Sequence, residues 1–166
     1  MTTPTPLRNA PLAHDHPYVE VFGEIGMIEH YLRMAVCRHL PEGMTHAHFE
    51  LLRWFMRHGD GQTPAELARI MLMTKGALTN ILQRMEAMDL VAVLADTADR
   101  RKKRVKITRT GIETATAVMK AMKAKTEALR DGFTDNEFRA VTPFLKALRS
   151  FLAEVSEPDA PAAALR

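Results

Sequence analysis

The 166 residues are 46% hydrophobic, 26% charged and 6% aromatic, which suits one domain with a sizeable core and is too short for two full-sized ones. Nine prolines and eight glycines exclude collagen-like and wholly disordered chains. No apolar run approaches the ~18 residues of a membrane span, and no basic start leads into a secretory hydrophobic stretch. Cys37 is alone, which excludes an intrachain disulfide framework and fits a reducing cytoplasm.

The net charge of +3 is unevenly placed. From Thr63 to Arg109 there are 10 Lys or Arg against 5 Asp or Glu, and in the rest of the chain 13 against 15. Arg100, Arg101, Lys102, Lys103, Arg104, Lys106 and Arg109 put seven cations into ten positions. Such a run is either a solvated face or a surface for phosphates, and the surrounding secondary structure decides between them.

Residues 1–17, rich in Thr and Pro, have no period and read as a flexible arm, and the tail from Glu157 reads likewise. Tyr18, Val21/Phe22, Ile25, Ile28, Leu32 and Val36 recur at three- and four-residue intervals, predicting a first helix that stops before Pro41. Thr45 opens a second, with Phe49, Leu52 and Phe55/Met56 inward, ending at Gly59-Asp60-Gly61. Thr63-Pro64-Ala65-Glu66 combines an N-cap threonine, proline at the first helical position and glutamate at the third. Leu67, Ile70 and Met71 are the apolar face of that short helix.

Thr74 can cap the next helix, where Leu78, Ile81, Leu82, Met85 and Met88 face inward. Its other face offers Lys75, Gly76, Thr79, Asn80, Gln83 and Arg84, with no acid before Glu86. The period then changes. Leu90–Leu94 is a strand candidate, and Arg104–Thr108 alternates polar and apolar as a half-buried strand does. A polar connection from Ala95 to Lys103 carries much of the positive charge between them. Two short helices, a hairpin and a basic loop make a winged helix-turn-helix, whose second short helix can enter a major groove.

Ile112, Ala115, Val118/Met119 and Met122 define a long helix capped by Thr108 or Thr110 and running to about Arg130. The last helix begins at Thr134-Asp135-Asn136-Glu137. Phe138, Val141, Phe144/Leu145, Leu148, Phe151/Leu152 and Val155 form its stripe, and Pro143 is expected to kink it or shift its start. The terminal stripes can pack on the helix after the wing or against another chain. A partner chain is the preferred reading, because two recognition helices one duplex turn apart suit a two-fold dimer.

The fold class expected is therefore mainly α with a small antiparallel β wing, a winged helix-turn-helix with terminal dimerisation helices. The expected divisions are the arm at 1–17, a helical dimerisation segment at 18–44, the DNA-binding domain at 45–109, C-terminal dimerisation helices at 110–156 and the tail at 157–166.

The chain resembles the MarR family of dimeric winged-helix transcriptional regulators from about Tyr18 to Val155. The resemblance is strongest from Pro64-Ala65-Glu66-Leu67-Ala68 through Thr74–Glu86 to Asp99-Arg100-Arg101 and Ile107-Thr108-Arg109-Thr110-Gly111. The last two pieces resemble the family's wing signature, Asp-x-Arg followed by hydrophobic-Thr-x-x-Gly. The resemblance implies a sequence-specific regulator, often a repressor, acting as a homodimer on a pseudo-palindromic double-stranded operator. It also implies release by a small aromatic or phenolic effector or by thiol oxidation. Asp89 stands where the family usually places glycine, and aspartate can hold the same left-handed turn through local hydrogen bonds.

Chemistry assigns the roles within that frame. Thr79, Asn80 and Gln83 are candidates for base edges or phosphates, supported by Lys75 and Arg84. Arg100, Lys102 and Lys103 suit the phosphate backbone. Asp99 is expected to stabilise the wing by pairing with Arg101 and aiming its guanidinium. Tyr31, Arg33, Trp54 and His58 on the first two helices could pack an aromatic ring and hold an anionic substituent, so they are the candidate effector contacts.

No His-Glu-x-x-His run, phosphate-binding glycine loop or nucleophile elbow is present, and neither catalysis nor a cofactor is expected. Cys37, His39, Glu42, His46 and His48 fall within twelve residues and make a metal-responsive regulator the minority reading, but no metal is assigned. Cys37 lies near the end of the first helix, whereas oxidant-sensing relatives usually place the reactive thiol near its beginning, so a buried structural thiol is expected. A winged-helix protein adaptor is the remaining alternative. The chain is expected in the cytoplasm on nucleoid DNA.

Overall fold

The structure, a computed structural model, describes residues 16–97 and 99–155. The expected arm before residue 16 and the expected tail lie outside the described residues. The elements are α1 (Pro17–Cys37), α2 (His46–His58), α3 (Pro64–Ile70), α4 (Lys75–Ala87), β1 (Val91–Ala95), β2 (Lys103–Ile107), α5 (Arg109–Ala128), a 3-10 turn (Leu129–Asp131) and α6 (Asp135–Val155). The described residues fall into two compact units that divide between Met122 and Lys123. The mainly helical architecture with a two-stranded antiparallel wing is the one the sequence predicts. Among the described residues no helix is long and apolar enough to cross a membrane.

In the first unit, the helix starts obey their local sequence. Pro17 begins α1 at a position whose N–H has no intrahelical partner. At α3, Thr63 Oγ1 accepts from the Glu66 N–H at 3.2 Å, and the Glu66 carboxylate accepts from the Thr63 N–H at 2.7 Å. Hydrogen bonds from the Thr63 backbone and hydroxyl hold the Glu66 carboxyl below its ordinary range. Thr74 caps α4 by accepting from Ala77 N–H at 3.2 Å. Of the two threonines that could open α5, Thr108 does so, accepting from Gly111 N–H at 2.9 Å.

The core of this unit joins Phe49, Leu52 and Phe55 of α2, Leu67 of α3, Leu78, Leu82 and Met85 of α4, Val91 and Val105 of the wing, and Ala115 and Val118 of α5. His48 is buried with them. Its Nδ1 accepts from the Thr45 N–H at 3.1 Å, and burial, with Arg84 adding to it, pushes its pKa below the ordinary 6.5. The α1 stripe behaves differently. Val36 is its buried residue, Val21 and Ile25 are half-buried, and Tyr18, Phe22, Ile28 and Leu32 remain exposed.

The strands pair in antiparallel register, Val91 with Ile107, Val93 with Val105 and Ala95 with Lys103. Alternation therefore turns Val105 into the core and leaves Arg104 and Lys106 on the opposite face. Residues 60–62 cover the free edge of β2. Gly61 N–H donates to Val105 O at 2.7 Å, Val105 N–H donates to Gln62 O at 2.9 Å, and Ile107 N–H donates to Asp60 at 3.0 Å. Glu86 of α4 caps the other edge by accepting from Val93 N–H at 2.9 Å.

The turn after α4 has a left-handed residue, Asp89, at φ 54°. Thr110 donates its hydroxyl to the Asp89 carboxylate at 2.7 Å, and Thr108 donates to the Asp89 carbonyl at 2.6 Å. These bonds explain how aspartate serves where the resemblance led one to expect glycine. Gly111 lies so near Leu90 that a Cβ would stand 2.2 Å from its carbonyl oxygen.

In the second unit, α6 repeats the α3 cap. The Glu137 carboxylate accepts from Thr134 N–H at 2.7 Å, and hydrogen bonds from the Thr134 backbone and hydroxyl lower its pKa. The helix starts at Asp135 and continues through Pro143, so the proline does not shift its start. None of its residues is buried.

Candidate nucleic-acid interface

The helix-turn-helix is α3, a turn at Met71–Met73, and α4. Leu78, Leu82 and Met85 anchor α4 in the core, and this fixes the orientation of its other face. Lys75, Gly76, Thr79, Asn80, Gln83 and Arg84 are all exposed there. The Thr79 hydroxyl donates to Lys75 O at 2.8 Å, which fixes its rotamer while its oxygen can still accept.

The wing tip is held by its own polypeptide. Asp96 N–H donates to Lys102 O at 2.9 Å, and Lys102 N–H donates to Asp99 O at 2.8 Å. The expected association of Asp99 with Arg101 takes a backbone form, in which the Asp99 carboxylate accepts from the Arg101 N–H at 3.1 Å. Its ion-pair partner is Lys102 at 3.7 Å. The geometry has a local cause, since a carboxylate two residues before an N–H readily closes an Asx turn.

A cavity of about 490 Å³ separates the start of α3, the start of α4 and the wing. Lys75, Thr79, Lys102 and Lys103 line it with Thr63, Pro64 and Ala65. Four residues singled out from the sequence thus surround one groove. Asn80, Gln83 and Arg84 continue along α4, while Arg100 and Arg101 stand exposed at the wing turn. Cationic walls and exposed amide groups suit an anionic polymer with readable edges.

The seven-cation run divides into two sets. Arg104 binds Asp96 and Gly61 O, Lys106 binds Asp60 at 2.9 Å, Arg109 binds Glu113 at 2.7 Å, and Lys102 pairs with Asp99. Among the described residues, the side chains of Arg100, Arg101 and Lys103 form no ion pair. Sequence reasoning missed the network of Asp60, Asp96, Arg104 and Lys106. The available signal was strand alternation, which turns Arg104 and Lys106 to one face, but the acids that meet them come from other turns.

The four candidate effector contacts separate into two groups. Trp54 and His58 stack on α2 with ring centroids 5.1 Å apart, and Trp54 packs half-buried against the core. Tyr31 is exposed on α1, and Arg33 pairs with Glu29 at 3.1 Å. A cavity of about 380 Å³ near the α1–α2 connection is lined by His39, Pro41, Glu113, Thr114 and neighbouring α5 residues, and by none of the four. Cys37 is exposed at the end of α1 rather than buried as expected, because the adjacent Val36 is the residue of that turn that faces the core. Among the described residues no three of His, Cys, Asp or Glu are grouped to hold a metal ion.

Helix-turn-helix, hairpin and basic groove together define a winged-helix protein. Residues 42–102 match the model of the MarR family, and the winged segment of this chain resembles that family. Its members are transcriptional regulators rather than enzymes, and the chain has the fold of a DNA-binding regulator of that kind. No curated protein matches the chain. A MarR transcriptional regulator from Methanosarcina mazei Go1 is 23% identical with TM-score 0.69, the match covering 82% of this chain and 99% of that one. An organohalide-sensing transcriptional regulator in its 2,4-dichlorophenol-bound form is 20% identical with TM-score 0.71, covering 93% of each chain. A mutant MarR from E. coli complexed with operator DNA is 23% identical with TM-score 0.66, covering 79% of this chain and 94% of that one.

Proposed function

We propose that the chain is a homodimeric, sequence-specific repressor that binds a double-stranded operator and is released by a small aromatic or phenolic ligand. The observation that carries the DNA reading is the groove where Lys75, Thr79, Lys102 and Lys103 meet beside the exposed face of α4. Phosphates would be met by Lys75, Lys102, Lys103 and Arg100, and bases by Asn80 and Gln83, with Thr79, Arg84 and Arg101 completing the interface. Asp99 would steady the wing turn. Residues 45–109 would be the DNA-binding domain, with 18–44 and 110–156 supplying the dimer, in a cytoplasm where the operator is accessible.

The dimer reading is supported by α6 itself. Phe138, Val141, Phe144, Leu145, Phe151 and Leu152 are each 40–55% exposed. Full burial of such a side chain contributes about 1.5–3 kcal/mol, so covering the exposed half contributes on the order of 1 kcal/mol each. Summed over two copies, that is comparable with the roughly 4–15 kcal/mol lost when two molecules become one. The effector reading is supported by the aromatic face of Trp54 and His58 and by the 2,4-dichlorophenol bound to a protein of similar fold. A ligand that favours a dimer geometry unsuited to the operator would weaken DNA binding by population shift.

Selection of duplexes from a random library tests the function directly. The expected result is a two-fold symmetric site whose affinity falls steeply with salt. Asn80→Ala and Gln83→Ala should change preference among site variants by roughly 1–3 kcal/mol for each bidentate base-edge pairing removed. Enrichment of no duplex above background at physiological salt would refute the reading. Titration with substituted phenols, followed by both Trp54 fluorescence and operator affinity, tests release. A phenol that saturates the fluorescence while leaving operator affinity unchanged would exclude control by that compound.

A further inference from the structure

Arg104 belongs to the cation run but occupies a different environment from the wing tip. Its Nε donates to the Asp96 carboxylate at 2.5 Å, and an Nη donates to the carbonyl of Gly61 at 3.0 Å. The Glu66 carboxylate lies 3.9 Å away. Asp96 is 8% exposed, at the point where β1 leaves the hairpin, and Gly61 lies in the α2–α3 turn. One guanidinium therefore ties the neck of the wing to the segment that leads into the helix-turn-helix. Lys106 makes a second tie to the same turn, through Asp60.

We propose that Arg104 is a positioning residue for duplex binding, holding the base of the wing to the α2–α3 turn so that Arg100, Arg101 and Lys103 are presented at a fixed height beside α4. This rests on the DNA-binding reading above. Two properties of the site separate Arg104 from a phosphate-binding cation. Its charge is already compensated by a neighbouring carboxylate, so it adds less to the field seen by a duplex than the unpaired tip cations do. Its two bonds also need the planar fork of arginine, because acceptors on two separate segments are met by two different nitrogens. A lysine there keeps the charge but reaches one acceptor at a time. Losing the fork takes one charged donor from the Asp96 carboxylate or from the Gly61 carbonyl, which loosens the neck rather than the core.

The test compares wild type, Arg104→Lys, Asp96→Asn and Arg100→Ala in the full chain, by operator affinity across a salt series and by amide hydrogen exchange. Arg104→Lys and Asp96→Asn should each weaken operator binding roughly tenfold or more, the scale of one charged hydrogen bond. Their slope of log affinity against log salt should stay at the wild-type value. Arg100→Ala should instead lower the slope by about 0.9 for each phosphate no longer neutralised. In the absence of DNA, both neck variants should speed exchange at the Asp96, Lys102 and Gly61 amides while the buried Leu67 amide keeps its protection. Wild-type affinity in Arg104→Lys, or a slope reduced as in Arg100→Ala, would overturn the proposal. If wild type fails to bind any duplex, the DNA reading falls and with it the positioning role. Unchanged exchange at the three amides would overturn the proposed neck constraint independently of DNA.

Discussion

The helix-turn-helix core and helix α6 carry apolar stripes of the same kind but finish differently. Leu52, Leu67, Leu78, Met85 and Val105 are at most 1% exposed. Every large apolar residue on the α6 stripe from Phe138 to Phe144 stays 45–55% exposed. The helices even start alike, since Thr63–Glu66 and Thr134–Glu137 are the same reciprocal cap. Periodicity thus tells that a face needs cover and says nothing about which chain supplies it.

The largest expected effect breaks the comparison at its strongest point. Leu67→Ala should lower unfolding stability by about 2–5 kcal/mol, the usual cost of a buried leucine truncation. Phe144→Ala should leave monomer stability far less affected and instead raise the dissociation constant of the proposed dimer, as measured by sedimentation at several concentrations. Equal losses of unfolding stability for both variants in dilute monomer would show that α6 is covered within its own chain.

Gly111→Ala comes next. Its new methyl would meet the Leu90 carbonyl at 2.2 Å, and relief requires α5 or the turn before β1 to move. Overpacking of this type costs about 1–3 kcal/mol, to be read from denaturant midpoints. Gly132→Ala, where a Cβ would meet nothing within 4 Å, should cost much less.

Removing the matched caps sharpens the comparison at a smaller scale. Thr63→Ala and Thr134→Ala should each cost about 1 kcal/mol of local helix stability, the usual value of an N-cap. The Thr63 variant should reduce global stability because α3 closes the core, whereas the Thr134 variant should chiefly fray α6 and weaken the proposed dimer. Amide exchange at Leu67 and at Val141 separates the two outcomes.

The smallest effect is acid sensitivity confined to the core region. Burial lowers the His48 pKa relative to the unfolded value near 6.5, so between the two values the unfolded chain binds more protons. The stability held by neutral His48 is therefore complete above about pH 6.5 and declines as pH falls toward the lowered folded value. His48→Gln keeps an acceptor for the Thr45 N–H and removes the titration. Its melting temperature should fall less than that of wild type between about pH 7.5 and about pH 5.5, a window that brackets the unfolded histidine value. Parallel curves would refute a contribution from His48.

Much of the fold was legible because its signals are local. Thr63-Pro64-Ala65-Glu66 fixes a helix start within four residues, and the change of period near Leu90 marks the wing. The groove was partly legible, because Lys75 and Thr79 share a helix face, and Lys102 and Lys103 share a loop. The Arg104 network was not, since Gly61 lies 43 residues away in sequence and nothing in a charge run distinguishes a paired cation from a free one. The Asp99–Arg101 geometry failed to emerge for another reason. Two residues of backbone let the carboxylate choose the nearer N–H over the guanidinium. The exposed Leu72 at φ 52° was also hidden, because an apolar Met-Leu-Met turn gives no sign of a left-handed residue.

The turn around Asp89 has a mechanical consequence. The turn that follows α4 and the N-terminal end of α5 are riveted together by the Thr108 and Thr110 hydroxyls and by the Thr108 N–H on Leu90 O at 3.2 Å, with no side chain at position 111 to act as a cushion. A push along α5 must then be delivered to the C-terminal end of α4, or three hydrogen bonds must give way first. The joint works like a stiff knuckle, in which the angle of one bone is read at the other. Shortening Thr110 to alanine would remove one rivet and leave play in the knuckle, so that a movement of α5 would arrive at α4 attenuated.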